Sequence, residues 1–219
     1  MAQAGAWARG KGEVFVSTGL EFNESGDGFA TLYAEWGALD RLTLGIDIFY
    51  DIEGTAGSDL AFARYTFLNQ NRHVAAISLG YGLNSRLNSE LFEYDPDKFV
   101  TLYTAETGEF TRLGLHYGYG FDWGWAALDA TLDRGESIDE NGVEGTFRYR
   151  KIDATLGYRV TERIAVMGQV FTFSDGSYSA ATYGLGATYE FGKNTLEAAL
   201  KQPDDGGEAS LKLAFWRRF

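Results

Sequence analysis

The chain has two histidines, His73 and His116, and no cysteine. Hydrolysis at a histidine needs a nucleophile and an orienting partner within hydrogen-bond reach. Around His116 the sequence reads LHYGYG (115–120), with no serine beside it and no nucleophile elbow. Ser17 and Ser78 have the phase to share its face, but nothing in the sequence joins them to it, so no catalytic residue and no enzyme is predicted. His73 sits beside a short turn and reads as an interfacial residue. The other groups able to act on a solute are Glu35, Asp47, Arg64, Arg112, Asp129, Lys151, Asp153, Arg159 and Glu190. Acids and bases there are similar in number. Brought to one wall, they would either orient a small polar solute or fill a narrow interior with salt bridges. No phosphate-cradling loop or zinc spacing occurs, FEYDPDKF (92–99) is not an EF-hand loop, and no cofactor is expected.

Those charges need elements to position them, and composition narrows the choice. The net charge is −12, which argues against nucleic acid, because binding it requires a basic surface. No apolar run is long enough for a membrane helix. The mean hydropathy is −0.23, which does not exclude membrane barrels, whose lipid-facing and lumen-facing residues alternate.

Almost every segment has a period of two. In LTLGIDIFYD (42–51), Leu42, Leu44, Ile46, Ile48 and Tyr50 fall on one face, and Thr43, Gly45, Asp47, Phe49 and Asp51 on the other. That is a strand with one apolar and one polar face. The same holds for Ala61, Ala63, Tyr65 and Phe67, for Leu113, Leu115, Tyr117 and Tyr119, and for Tyr183, Leu185, Ala187, Tyr189 and Phe191. The opposite phase carries Glu35, Arg64, Arg112, His116, Asp129, Lys151, Asp153, Arg159 and Glu190.

Alternation alone suits a sandwich or a barrel. The spacing of the connections decides. Short ones near 38–41, 69–72, 122–124, 161–163 and 192–194 alternate with longer ones near 23–28, 54–58, 84–108, 134–146, 174–178 and 202–208. Trp36, Phe67, Tyr158, Phe191 and Phe219 stand toward strand ends on the apolar face, where membrane-interface girdles form. The predicted fold is all-β: a transmembrane up-and-down antiparallel barrel of about twelve strands, with short periplasmic turns and longer acidic extracellular loops. Residues 1–219 form one domain, with 1–12 as an N-terminal periplasmic segment. Segment 84–108 leaves room for further strand or a folded-in plug. The acids in or beside the long loops are Glu90, Glu93, Asp95, Asp97, Glu106 and Glu109, then Asp133, Glu136, Asp139, Glu140 and Glu144, then Asp204, Asp205 and Glu208.

The C-terminus LKLAFWRRF resembles the assembly signal of bacterial outer-membrane proteins, with a terminal aromatic and apolar residues at every second position before it. Arg217 departs from the usual apolar third-from-last residue. The resemblance implies the bacterial outer membrane, with its lipid and lipopolysaccharide as surroundings and the barrel-assembly machinery as a partner during insertion. Ala2-Gln3-Ala4 has the form of a signal-peptidase site, which fits a signal peptide already removed and Met1 added for expression. The segments LDRLTLG (39–45) and TERIAVMG (161–168), with the opening GAWARGKGEVFV (5–16), are similar to uncharacterised outer-membrane transporter proteins of the XagA type. No site residue is carried over from them.

The expected function is a porin-like channel for small hydrophilic solutes, with the ten residues from Glu35 to Glu190 lining the lumen. A barrel of twelve strands lies between those filled by side chains and those holding open water, so an open and a plugged interior both remain possible. The alternatives are an outer-membrane enzyme acting on lipid or lipopolysaccharide, and a structural or adhesive barrel acting through its loops.

Overall fold

The computed structural model describes residues 6–95, 98–138 and 144–219, and of 86–95, 98–106, 137–138 and 144 the backbone alone. Twelve strands follow one another. They are β1 (Val14–Asn23), β2 (Gly28–Leu39), β3 (Leu42–Asp51), β4 (Ala56–Gln70), β5 (His73–Asp95) and β6 (Lys98–Gly120), then β7 (Gly124–Ile138), β8 (Glu144–Arg159), β9 (Ile164–Ser174), β10 (Ser179–Phe191), β11 (Asn194–Pro203) and β12 (Ser210–Arg218). Each pairs antiparallel with its sequence neighbours, and β1 closes on β12 from Phe15↔Arg218 to Asn23↔Ser210. Closure leaves no strand edge, which is what a sheet needs inside hydrocarbon, where an unpaired amide costs several kcal/mol. The even count brings both ends to one rim, where the Phe219 amide donates to the Val14 carbonyl at 2.9 Å.

The barrel is apolar outside and charged inside. Leu185, at the middle of β10, is 70% exposed, while Glu35 on β2 is 1% exposed. Leu79, Leu115, Ile152 and Leu200 are exposed on the same outer surface. Removing such side chains from water is worth about 0.8 kcal/mol per CH2, so this exterior is stable against lipid and not against water. Trp36, Phe67, Tyr158 and Phe191 stand at the short-turn ends of their strands and Phe219 at the chain end, all exposed, so they gather on one rim.

At that rim β4 and β5 are joined by Asn71 and Arg72, with φ of 52° and 70°. Left-handed backbone at both central residues is a type I′ hairpin turn, whose twist matches the strands. The Arg72 guanidinium meets Asp122 of the next turn at 2.7 Å.

Two expected connections are mostly strand. β5 and β6 stay paired as far as Asp95↔Lys98, and β7 and β8 as far as Ile138↔Glu144. The predicted strands ended where their apolar faces ended. Ladder hydrogen bonds need no apolar face, so these hairpins continue beyond the span of roughly 9–11 residues that a bilayer requires. Likewise β4 begins at Ala56, inside the expected 54–58 connection, and β11 runs on to Pro203. Glu90, Glu93, Asp95, Asp97, Glu106, Asp139, Glu140 and Glu144 lie outside the residues whose side chains are described. Glu208 ties the β11–β12 loop to the β1–β2 loop, accepting from Ser25 Oγ at 2.6 Å.

Candidate functional site: the barrel lumen

Strand alternation puts every second residue inside, and the lumen is built from those residues in tiers. Nearest the short-turn rim, the chain before β1 enters the barrel. Ala6 and Arg9 are buried. Trp7 lies over Gly118 of β6, where a Cβ would come within 2.5 Å of the indole Cη2. Gly12 donates to the Gly37 carbonyl at 2.8 Å. Residues 6–12 therefore cross from β2 to β6 and occupy part of the opening. The Arg9 Nε and the Arg64 Nη2 both donate to the fully enclosed Glu35 carboxylate, as does the Tyr33 hydroxyl. The Arg9 amide donates to Thr43 Oγ1 at 3.3 Å, and its guanidinium lies 4.2 Å from the centre of the Phe15 ring. A buried carboxylate survives only when paired and hydrogen-bonded, and here a strand residue on β4 and the entering segment share that task.

In the middle tier, Arg112 on β6 grips Asp133 on β7 through Nε at 2.7 Å and Nη2 at 2.8 Å. Its Nη1 reaches Asp47 on β3 at 3.4 Å. Asp133, read as lying in or beside the 134–146 loop, stands buried in the wall on β7. Lys151 is 4.0 Å from Asp133. Asp153 faces Asp129 across the β7–β8 ladder and accepts from the Thr172 amide at 3.4 Å. Three further pairs line the β1 and β10–β12 wall: Lys201–Glu21 at 2.5 Å, Lys212–Glu197 at 3.1 Å and Arg218–Glu190 at 3.5 Å. Lumen charges of opposite sign are thus largely matched within the wall.

His116 has two partners that the sequence did not join to it. Its Nδ1 is 2.6 Å from Asp129 Oδ1 and its Nε2 is 2.8 Å from Ser78 Oγ. His116 and Asp129 are direct cross-strand partners, while Ser78 faces Gly114, two residues before His116. A carboxylate only accepts, so Nδ1 carries the proton and Nε2 accepts from the serine. That is the polarity of a Ser–His–Asp relay. Gly114 makes it possible: a Cβ there would fall onto Ser78 Oγ and within 2.7 Å of His116 Nε2.

Among the described residues, cavities lie at three places in the interior. The first, about 690 Å³, opens at the long-loop end and is lined by Asp47, Phe49, Phe110, Arg112, Lys151 and Asp153 among others. The second, about 260 Å³, lies against β1 and is lined by Ser17, Glu21, Asp47, Lys201 and Trp216. The third, about 330 Å³, lies at the short-turn end beside Arg159, Glu190 and Trp216. The first two share Thr31 and Asp47, and the last two share Trp216. Among the described residues, no group of three or more acids and histidines is arranged to hold a metal ion.

No family model matches this chain, and no curated protein sequence matches it. Solved structures do. The NanC porin superposes with a TM-score of 0.62 at 11% identity, covering 92% of this chain and 98% of that one. An outer membrane channel from Pseudomonas putida F1 gives 0.59 at 13% identity, covering 100% of both chains. The translocator domain of the autotransporter NalP from Neisseria meningitidis gives 0.56 at 14%, covering 96% of this chain and 90% of that one. Such distant likenesses establish the barrel fold and nothing finer.

Proposed function

We propose that this protein is a bacterial outer-membrane channel for the passive passage of small hydrophilic solutes. The observation that carries the reading is the succession of interior cavities, one at the long-loop end, one against β1 that shares Thr31 and Asp47 with it, and one at the short-turn end that shares Trp216 with the second. A barrel filled by its own side chains would leave no such succession. The porin and the channel among the structurally similar proteins support it.

Selectivity belongs to the wall. Asp47, Arg112, Lys151 and Asp153 line the wide cavity, and Arg159 and Glu190 the one at the short-turn end. Glu35, Arg64, His116 and Asp129 act one step back, by holding the entering segment and the polar tier above it. The paired charges leave a weak net field, which suits neutral polar solutes better than strongly charged ones. Lipid and lipopolysaccharide would surround the apolar belt, and the strand ending in Phe219 would engage the assembly machinery. Single-channel recording of the refolded protein in a planar bilayer tests the reading: discrete conductance steps are expected, and a silent bilayer with folded protein present overturns it.

A further inference from the structure

We infer that Ser78, His116 and Asp129 form a hydrolytic site inside the lumen, acting on esters of small polar solutes that enter from the long-loop end. The inference goes beyond passive passage and relies on that reading only for the entry of solute.

The constellation meets the geometric requirements of a nucleophile, a base and a group that orients the base. The Ser78 hydroxyl donates to His116 Nε2 at 2.8 Å, and His116 Nδ1–H donates to Asp129 at 2.6 Å. Two further features distinguish it from an incidental network. Gly114 opposes Ser78 and leaves the space in which serine and imidazole meet, since a Cβ there would come within 2.3 Å of Ser78 Oγ and 2.7 Å of His116 Nε2. Arg64 faces Ser78 directly across the β4–β5 ladder, and both side chains point inward. Directly paired inward residues have Cβ atoms about 4.5–5.5 Å apart. Arg64 Nε is buried, and among the described residues it has no hydrogen-bond partner. A cationic N–H donor left unpaired beside a nucleophile is suited to the oxygen charge that develops on an attacked carbonyl.

Access and class of substrate follow from position. All three side chains face the interior, so bilayer lipid cannot reach them, which removes the lipid-modifying alternative from this site. Trp7 over Gly118 lies between the cluster and the short-turn rim. On the other side, Asp153 lines the wide cavity and is the cross-strand neighbour of Asp129. The cluster itself lines none of the three cavities, so a solute reaches it from the long-loop end past Asp153 and Asp129.

The chemistry balances with water as the only co-reactant. Ser78 Oγ attacks the ester carbonyl carbon while its proton passes to His116 Nε2. The carbonyl oxygen becomes an oxyanion that accepts from Arg64 Nε. The intermediate collapses with cleavage of the carbon–alkoxy bond, and His116 returns the proton to the departing alcohol. Water then attacks the acyl-serine, giving its proton to His116. The carboxylic acid leaves, and Ser78 regains its hydrogen. Ser78 and His116 are the catalytic residues; Asp129 is a positioning residue.

The test uses the full refolded chain in detergent micelles, with folding checked by the heat-dependent gel shift of barrels. A fluorophosphonate probe should give an adduct that peptide mass analysis places on Ser78. Ser78→Ala should abolish it, and His116→Ala should slow its formation by at least about 100-fold, the usual scale of general-base assistance. The chain has no cysteine, so Ser78→Cys supplies a unique thiol, and its iodoacetamide alkylation should be faster with His116 than with His116→Asn. An absent adduct in folded protein, an adduct on another serine, or labelling indifferent to His116 each overturns the inference. Conductance of the same preparation separates its failure from failure of the channel reading.

Discussion

Arg112 on β6 and Asp47 on β3 meet at 3.4 Å although their strands are not neighbours in the sheet. The contact passes inside β4 and β5, the two strands between them, while Asp133 holds the same guanidinium from β7. Both carboxylates depend on it for charge balance. Arg112→Ala is therefore expected to raise single-channel conductance and to move the reversal potential under a salt gradient toward cations. Unchanged conductance would show that the bridge does not limit flow.

The segment before β1 is the second obstruction. Removing residues 1–12 should increase conductance while the barrel still folds, because closure rests on β1–β12 pairing that begins at Phe15↔Arg218. Gly118→Val should act in the same direction, since a side chain there collides with Trp7. If neither variant conducts more than the parent, the entering segment does not narrow the path.

Glu35→Gln tests how that segment is held. The substitution leaves the Arg9 and Arg64 guanidiniums facing each other without the carboxylate that both engage. Breaking a buried ion pair from one side costs about 3–5 kcal/mol. Urea unfolding in lipid vesicles should register a loss of that order, and the variant's conductance should approach that of the truncated chain.

The inside-out arrangement predicts a contrast within two strands. Leu185→Arg places a cation at the middle of the lipid face of β10 and should destabilise by roughly 2–4 kcal/mol, the cost of an arginine at the bilayer midplane of a barrel. Gln169→Arg, on the lumen face of the neighbouring strand β9, should cost clearly less. Reversible unfolding of both variants in the same vesicles reads the difference, and equal losses would contradict the assigned faces.

At the long-loop end, Asp175 organises the β9–β10 turn. Its carboxyl accepts from the Tyr178 amide at 2.8 Å and from the Ser177 amide and hydroxyl, each at 2.8 Å. These bonds, the Tyr178 amide first, favour the charged form and hold its pKa below the usual carboxylate range. Because the folded value is depressed, the turn's stabilisation is present above the unfolded value of about 3.9 and is lost as pH falls through the folded one. A carboxyl carbon NMR titration should show a midpoint below that of the exposed loop acids. Asp175→Asn should abolish any pH response of proteolysis at this turn.

Faces were legible in the sequence because the side a strand residue takes depends only on its own phase. Glu35, Arg64, Arg112, His116 and Glu190 could be placed indoors from the alternation of their own segments, and the outer leucines from the same pattern. Strand number followed from the turns between them. Where the apolar face stopped, the pattern fell silent, and the β5–β6 and β7–β8 hairpins ran on through residues read as loop.

What the sequence determined by itself, then, was a closed sheet with lipid outside and charge inside, since period and composition are local properties of the chain. Partnership was not local. Ser78, His116 and Asp129 sit on three successive strands, and whether they meet depends on the register of β5 against β6 and of β6 against β7. A shift of two residues would keep every face and separate all three. The same is true of Arg9 and Trp7, which lie outside any strand pattern and were drawn into the lumen by a buried carboxylate that needed a second cation and a glycine that left room for an indole. Only the tertiary structure decided those contacts, because hydrogen-bond register and the filling of interior space are settled between segments and not within them.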